Sequence, residues 1–545
     1  MATFGAFQVP SAENEHVKAY APGSVERTAL AAAITSLQSK LPLKIPLVIG
    51  GKKIFTDEVS KHVNPADYVQ VVAETAQADQ EHVAQAILAS QIAKRRWELA
   101  PLAARSAVLL KAAELIANKY RYEILAATII GQGKTIYQAE IDAADELIDF
   151  LRFNCQFAQQ LYNQQPQNAT PGVWNRVEYR ALEGFVYAVT PFNFTAIAGN
   201  LVSAPVLLGN TVVWKPSPYA VLSNYLLFNI LVEAGLPDGV INFVPGDAEA
   251  ITAEVLTSRS FAALHYTGST TVFQNIYAKI ANNLSHYRGF PRIVGETGGK
   301  NFHLIHKSAN IASAVKSTVR GAFEYSGQKC SATSRVYVPN SLFTEFKELI
   351  VREVEQLTIG SPSDLYPFIG PVIHETAFKK LFGVLQDLAN DAKIEIITGG
   401  SVDGSKGFFI NPTVVLAQDI DHYVFQTEFF GPILAVFVYD DESFEEIADT
   451  IDLASNYALT GSVFANDRNA IEVASTKLRN TAGNFYINDK STGAVVAQQW
   501  FGGSRQSGTN DKGGSINLLT RFVNIRVIKE TFYDTTNVFY PSNAT

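Results

Sequence analysis

Cysteine is nearly absent: Cys155 and Cys330 are the only two in 545 residues. Two distant thiols exclude a disulfide framework and any cysteine-rich metal site, so no metal is expected. They imply a reducing, intracellular compartment, which would be the cytoplasm of a bacterium or the mitochondrial matrix of a eukaryote. Basic excess is also missing, since 44 Lys and Arg face 52 Asp and Glu for a net charge of −8. That balance argues against nucleic acid or an anionic membrane as a partner and favours a small-molecule substrate. Apolar runs are broken by charge, Gly or Pro well before the roughly 20 residues of a membrane span. The start, Met1 to Tyr20, has no apolar signal core and is not Arg-rich, so it does not read as a signal or transit peptide, although a processed form would have lost one.

What the chain does have is bulk, with 47% hydrophobic residues. That is enough for a sizeable core, in a chain long enough to split into two or more domains. Residues 1–60 mix Pro, Ser and polar positions around a helix-like run, Thr28 to Leu41, and are expected to form a peripheral arm. Helical spacing recurs from Gln80 to Lys111 and from Glu114 to Phe157. From Gly184 to Phe273 short apolar runs alternate with helices. Gly184 to Thr190, Thr211 to Trp214, Val240 to Val244 and Ala262 to Tyr266 read as strands of a βαβ series, hence of a parallel sheet. A second alternating region runs from Asn301 to about Asn488, with strands expected at Arg335 to Val338, Ala435 to Tyr439 and Gly461 to Phe464. Pro171 to Arg180 and Val523 to Tyr540 alternate outside both cores, as strands at a subunit contact would.

Cys330 follows a Gly-containing turn and precedes the start of a helix or strand. A helix N-terminus and the adjacent Lys329 would give its thiol the thiolate character a nucleophile needs. A lone cysteine is otherwise a small core hydrophobe, and Cys155, inside an apolar helix, keeps that assignment. Glu296 sits in a Gly-rich turn that brings backbone close to a ligand, against the alternative of a solvated carboxylate. Asn193 follows a strand end, where a side-chain amide is placed to donate to an oxyanion, although Asn in a turn is often only a turn residue.

Pro191-Phe192-Asn193, Trp214-Lys215-Pro216-Ser217, Thr267-Gly268-Ser269, Glu296-Thr297-Gly298-Gly299-Lys300, Gly327-Gln328-Lys329-Cys330 and Glu428-Phe429-Phe430-Gly431-Pro432 follow one another in order. In that order and spacing the chain resembles the aldehyde dehydrogenase superfamily, from about Pro42 to Phe532. Gly131-Gln132-Gly133-Lys134-Thr135, Phe192-Asn193-Phe194-Thr195-Ala196, Ile487-Asn488-Asp489-Lys490-Ser491-Thr492-Gly493 and Phe501-Gly502-Gly503 make it most similar to the branch acting on L-glutamate γ-semialdehyde, the open form of 1-pyrroline-5-carboxylate.

The resemblance implies an α/β fold with two Rossmann-like parallel-sheet domains and a β oligomerisation flap. The NAD-binding domain would span 61–166 and 183–297, the catalytic domain 298–495 and the flap 167–182 with 523–545, in a homodimer or higher homo-oligomer. It implies that Cys330 attacks the aldehyde, that Asn193 and the Cys330 N–H hold the oxyanion, and that Glu296 activates water to hydrolyse the thioester. NAD would be held by Lys215, Ser217, Thr267, Gly268, Ser269, Glu428 and Phe430, although Pro245-Gly246-Asp247 supplies one glycine where the usual dinucleotide fingerprint has three. Pro218 stands where many relatives carry an acidic residue, so the sequence lacks the commonest marker separating NAD from NADP. The substrate carboxylate is expected at Ser331 and the loop of Gly493 and Ala494, its methylenes between Phe194 and Phe501, and its amino end near Glu146 and Lys329. Glu146 on a solvated helix face and Ser331 as a helix cap are the plainer alternatives. A rival substrate of the same class, succinate semialdehyde, would favour basic residues in the anchor loop, and Ser491 to Val496 has none.

Overall fold

The computed structural model describes Gly5 and residues 7–543. Two seven-stranded sheets organise the chain. In the first, the strands Arg292–Glu296, Phe261–Thr267, Phe185–Val189, Val212–Lys215 and Ile241–Phe243 lie side by side and parallel. Leu47–Ile49 and Lys52–Ile54 extend its edge antiparallel. These two strands fall within 1–60, so the peripheral arm is shorter than expected. Leu47, Val48 and Ile49 are buried and belong to the sheet.

The near-continuous apolar character of these strands has a direct cause. Phe185 and Tyr187 point into a core shared with Val83, Ala86 and Ile87, which lie on the helix Gln80–Trp97. The intervening Val186 and Ala188 point into a second core, shared with Ala198 and Val202 of Thr195–Leu207 and Leu227 of Val221–Ala234. A strand covered on both faces has no polar side to show in its sequence.

The second sheet runs Ile394–Thr398, Thr413–Ala417, Ile433–Tyr439, Thr333–Pro339, Asn301–Ile305, Thr460–Phe464 and Asn484–Ile487, parallel except for its first strand. Both expected α/β units are therefore present.

The two long helical stretches are subdivided. The first stops at Trp97 and restarts at Leu102, with Pro101 at the N-cap of the new helix, where its missing N–H costs nothing. The second contains Arg121–Gln132, closed by Gly133 in the left-handed conformation, then a π-helical segment Glu140–Glu146 running into Leu147–Tyr162. Val173–Ala181 pairs antiparallel with Val523–Thr531 along its whole length, fastened by Arg176–Glu530 at 2.6 Å and Arg526–Glu178 at 2.5 Å. Trp174, Ile525 and Val527 are exposed on this ribbon. Among the described residues no helix is long and apolar enough to cross a membrane.

Candidate active site

From Phe185–Val189 the first sheet grows in both directions, toward Val212–Lys215 on one side and Phe261–Thr267 on the other. Such a switch point opens a crevice beyond the carboxyl ends of the strands. Asn193, Lys215, Thr267 and Glu296 all sit at those ends.

Cys330 comes to this crevice from the second unit, between the turn Glu324–Gly327 and the strand Thr333–Pro339. No helix begins at the sulfur, and Lys329 Nζ turns away to Glu324 at 2.9 Å. The expected thiolate activation by a helix terminus and Lys329 is therefore absent. Burial instead pushes the thiol up to about 12, with the charges of Glu296 and Glu428 adding to the effect. Tyr325 and Ser326 hold left-handed backbone at φ 53° and 54°, a conformation costing roughly 1–2 kcal/mol per non-glycine residue. Tyr325 Oη donates to Gln132 O at 2.7 Å and Ser326 Oγ to Gly370 O at 2.6 Å, which fixes the turn. On the far side of Cys330, Asn301 Nδ2 donates to Cys330 O at 2.7 Å and Ala332 O at 2.8 Å. Gly299 permits this approach, because a Cβ there would lie 2.4 Å from Cys330 O.

Asn193 is buried, and its Nδ2 donates to Gln328 O at 3.1 Å, two residues before the sulfur. Glu296 accepts from Gly503 N–H at 3.3 Å. Burial holds its carboxyl well above the usual range, only partly offset by Gly503 and Lys512.

One cavity of about 230 Å³ is lined by Cys330 and Glu296 together with Phe194, Phe501, Ser331 and Gly493. Ala494, Glu146 and Lys329 line it as well, so every residue expected at the substrate lies on one wall or another. Ser331 Oγ hydrogen-bonds Thr492 Oγ1 at 2.7 Å, tying the residue after the sulfur to the 491–496 loop; it caps no helix. Glu146 is half-buried in the cavity, not on a solvated face, and burial raises its carboxyl to about 8, with Asp142 adding to the shift. Cys155, by contrast, is fully buried and donates to Leu151 O at 3.2 Å, a core residue.

Several other lining groups have no role assigned from sequence. Lys490 flanks the anchor loop and Lys512 lies beside Glu296, while Asn14, Glu15 and Val17 reach the same cavity from the N-terminal arm. Of these only Lys490 stands in one of the motifs, Ile487 to Gly493, and the sequence assigns it no role there.

The groups expected at the dinucleotide collect along the crevice and fit it. Burial lowers the Lys215 ammonium to about 8, with Asp247 offsetting only part of the cost. A ribose hydroxyl pair would give that ammonium acceptors. Ser217, also buried, follows two residues on. Ser269 caps the helix Thr270–Asn282, whose first-turn amides have no intrahelical acceptor and suit a pyrophosphate. Thr267 lines the cavity, and Gly268 N–H is already committed to Glu296 O at 3.2 Å, so it holds the crevice's backbone and is not a free donor. Glu428 accepts from Gly299 N–H at 2.8 Å, burial raising it to about 7, and Phe430 packs edge-on to Phe192 with ring centroids 5.9 Å apart.

Comparison with known proteins places this geometry. A model described as "Aldehyde dehydrogenase family" matches residues 55–528. The mitochondrial delta-1-pyrroline-5-carboxylate dehydrogenase of Emericella nidulans is 55% identical, over 99% of this chain and 96% of its own. The mitochondrial enzyme of the same name from Homo sapiens is 44% identical, over 95% and 92%. Among solved structures, the NAD-bound delta-pyrroline-5-carboxylate dehydrogenase of Mycobacterium tuberculosis superimposes with a TM-score of 0.96 at 45% identity, covering all of both chains.

Proposed function

The chain belongs to the aldehyde dehydrogenase family, and from that premise we infer that it is an NAD-dependent L-glutamate γ-semialdehyde dehydrogenase. It oxidises the open form of 1-pyrroline-5-carboxylate to L-glutamate, in proline catabolism. One observation carries the reading: a thiol, a carboxylate and the anchoring groups for an amino-acid tail line a single cavity.

The Cys330 thiol has to lose its proton to react, against the burial and the neighbouring Glu296 and Glu428 charges that hold it in the thiol form. The resulting thiolate attacks the aldehyde carbon, and the oxyanion is received by Asn193 Nδ2 and the Cys330 N–H. Such a donor is worth about 3 kcal/mol in the transition state. NAD, held by Lys215, Ser217, the 267–269 turn, Glu428 and Phe430, supplies the acceptor for the aldehyde hydrogen. Glu296 then takes a proton from the water that opens the Cys330 thioester. A carboxyl raised by burial is the stronger base for that work.

The tail selects the substrate. Its carboxylate is taken by Ser331 and the loop of Gly493 and Ala494, and its methylenes lie between Phe194 and Phe501. Its ammonium meets Glu146, whose charged form burial otherwise disfavours. Succinate semialdehyde brings no ammonium and leaves that carboxyl uncompensated. The exposed apolar face of the ribbon formed by Val173–Ala181 and Val523–Thr531 supports a homodimer or higher homo-oligomer. The reading places the protein in a reducing intracellular compartment, the mitochondrial matrix if the source is a eukaryote, in keeping with the relatives named mitochondrial.

NADH formation with glutamate semialdehyde, succinate semialdehyde and propanal, in wild type and Cys330→Ser, tests this. Selectivity for the first and silence of the variant are expected. Equal rates on all three aldehydes would remove the substrate, and surviving activity in the variant would remove the nucleophile.

A further inference from the structure

Residues 7–20, ahead of the helix Val25–Gln38, are stitched across the helix Leu147–Tyr162 without helix or strand of their own. Val9 N–H donates to Gln159 Oε1 at 2.8 Å and Ala12 N–H to Gln156 Oε1 at 3.0 Å. Glu15 N–H donates to Asp149 Oδ1 at 2.7 Å, while its carboxylate pairs with Arg121 at 2.8 Å and Arg152 at 2.7 Å. A polar segment that buries little apolar surface has weak reason to lie down on a helix. Here backbone hydrogen bonds to side chains spaced one and then two helical turns apart give it a fixed path.

At the end of that path Asn14 joins three parts of the molecule. Its Nδ2 donates to Asp149 Oδ2 at 2.7 Å and to Val496 O at 2.9 Å. Its Oδ1 accepts from Gln498 Nε2 at 2.9 Å. Val496 and Gln498 belong to the loop that carries Gly493 and Ala494, and Asn14 lies on the cavity wall with them. On its other side that loop is held near its base, by Ser331 on Thr492, by Ser491 N–H on His303 at 3.2 Å and by Ser491 Oγ on Thr333 Oγ1 at 2.9 Å. Past Gly493, at φ 88°, the loop's hydrogen bonds toward the helix run through Asn14, beside the buried Val496, which packs into the same core as Phe150.

We propose that Asn14 is a positioning residue for amino-acid substrates: the arm, through this one amide, sets the loop whose backbone receives the substrate carboxylate. The inference rests on the carboxylate being anchored at Gly493 and Ala494. An amide suits the task, because it donates to a carboxylate and a carbonyl while accepting from an amide, which neither Asp nor Leu can do. The energy spent ordering the loop is then already spent when the substrate arrives, and the effect appears in binding of the tail and not in the reaction at the aldehyde carbon.

Steady-state kinetics of Asn14→Ala and Gln498→Ala on the full chain, each with glutamate semialdehyde and with propanal, separate the roles. KM for glutamate semialdehyde is expected to rise about tenfold in Asn14→Ala and severalfold in Gln498→Ala. The kcat on that substrate and the KM for propanal should stay within about twofold. Equal losses on both aldehydes, or no change on either, overturn the proposal. Gln498→Ala leaves the Asp149 and Val496 bonds in place, so it guards against a misfolded arm. A wild type that itself shows no preference for glutamate semialdehyde over propanal overturns the substrate reading as well. A wild-type preference with no split in either variant overturns this proposal alone.

Discussion

Asn301 holds the carbonyl of Cys330, with Nδ2 2.7 Å from Cys330 O, while its own Oδ1 accepts from Thr460 N–H at 3.0 Å. The nucleophile's carbonyl is thus tied, through Asn301, to the first residues of two adjacent strands of the second sheet, Asn301–Ile305 and Thr460–Phe464. Asn301→Ala would leave two carbonyls and one N–H buried and unpaired, at about 1–3 kcal/mol each. A stability loss of about 3 kcal/mol in urea unfolding, and a fall of at least tenfold in kcat/KM on the folded enzyme, are expected. Full activity in this variant would mean that the sulfur does not need its carbonyl held.

Glu296 is assigned to the water step, so Glu296→Gln should acylate faster than it turns over. Rapid mixing is expected to show a burst approaching one NADH per subunit, followed by turnover at least a hundredfold slower than wild type. Mass spectrometry of the quenched variant should find the glutamyl adduct on the Cys330 peptide. A slow variant with no burst would move Glu296 to the thiol step alone.

A thiol raised to about 12 exposes little thiolate at neutral pH. Below that value the thiolate fraction grows about tenfold per pH unit, so iodoacetamide labelling of Cys330 in the ligand-free enzyme should climb without a plateau from pH 7 to 10. Glu428, raised only to about 7, is ionised at pH 9, and its charge keeps the thiol high. Glu428→Gln should therefore label faster than wild type at pH 9. A plateau near pH 7 would show that the sulfur is activated before any ligand binds.

Lys134 and Asp142 form an ion pair of 2.7 Å with both side chains sealed from solvent. Asp142 also accepts the N–H groups of Thr195 at 3.0 Å and Ala196 at 2.8 Å, and Lys134 Nζ lies 3.9 Å from the centre of the Phe194 ring. Lys134→Met strands the carboxylate, a loss of about 3–5 kcal/mol. Calorimetry should show a markedly lower unfolding midpoint, and KM for glutamate semialdehyde should rise through Phe194. Asp142→Asn, which leaves one hydrogen-bonding oxygen, should cost less.

The sheets could be read from sequence because Phe185 to Val189 and its neighbours are buried on both faces and so uniformly apolar. Cys330, Glu296 and Asn193 could be read because each sits in a short motif whose order along the chain is unusual. Asn14 and Asn301 could not, since a hydrogen-bonding asparagine has no periodicity and its partners lie far along the chain. The same limit explains the thiol: the sequence put Lys329 next to Cys330, but only the fold shows that its ammonium is taken by Glu324. Leu47 to Ile49 looked like part of an arm because a three-residue edge strand carries too little pattern to declare its partner.

The ribbon of Val173–Ala181 and Val523–Thr531 joins positions as far apart in the chain as Val173 and Thr531, and Arg176 and Glu530, 354 residues apart, are ion-paired across it. Contacts of that separation are the slowest to form. During synthesis both sheets can assemble while the earlier strand still waits for a mate, its backbone N–H and C=O groups open to any passing edge. Until Val523–Thr531 docks, that strand presents an unpaired edge, so closing the ribbon is expected to be a late step in the folding of this chain.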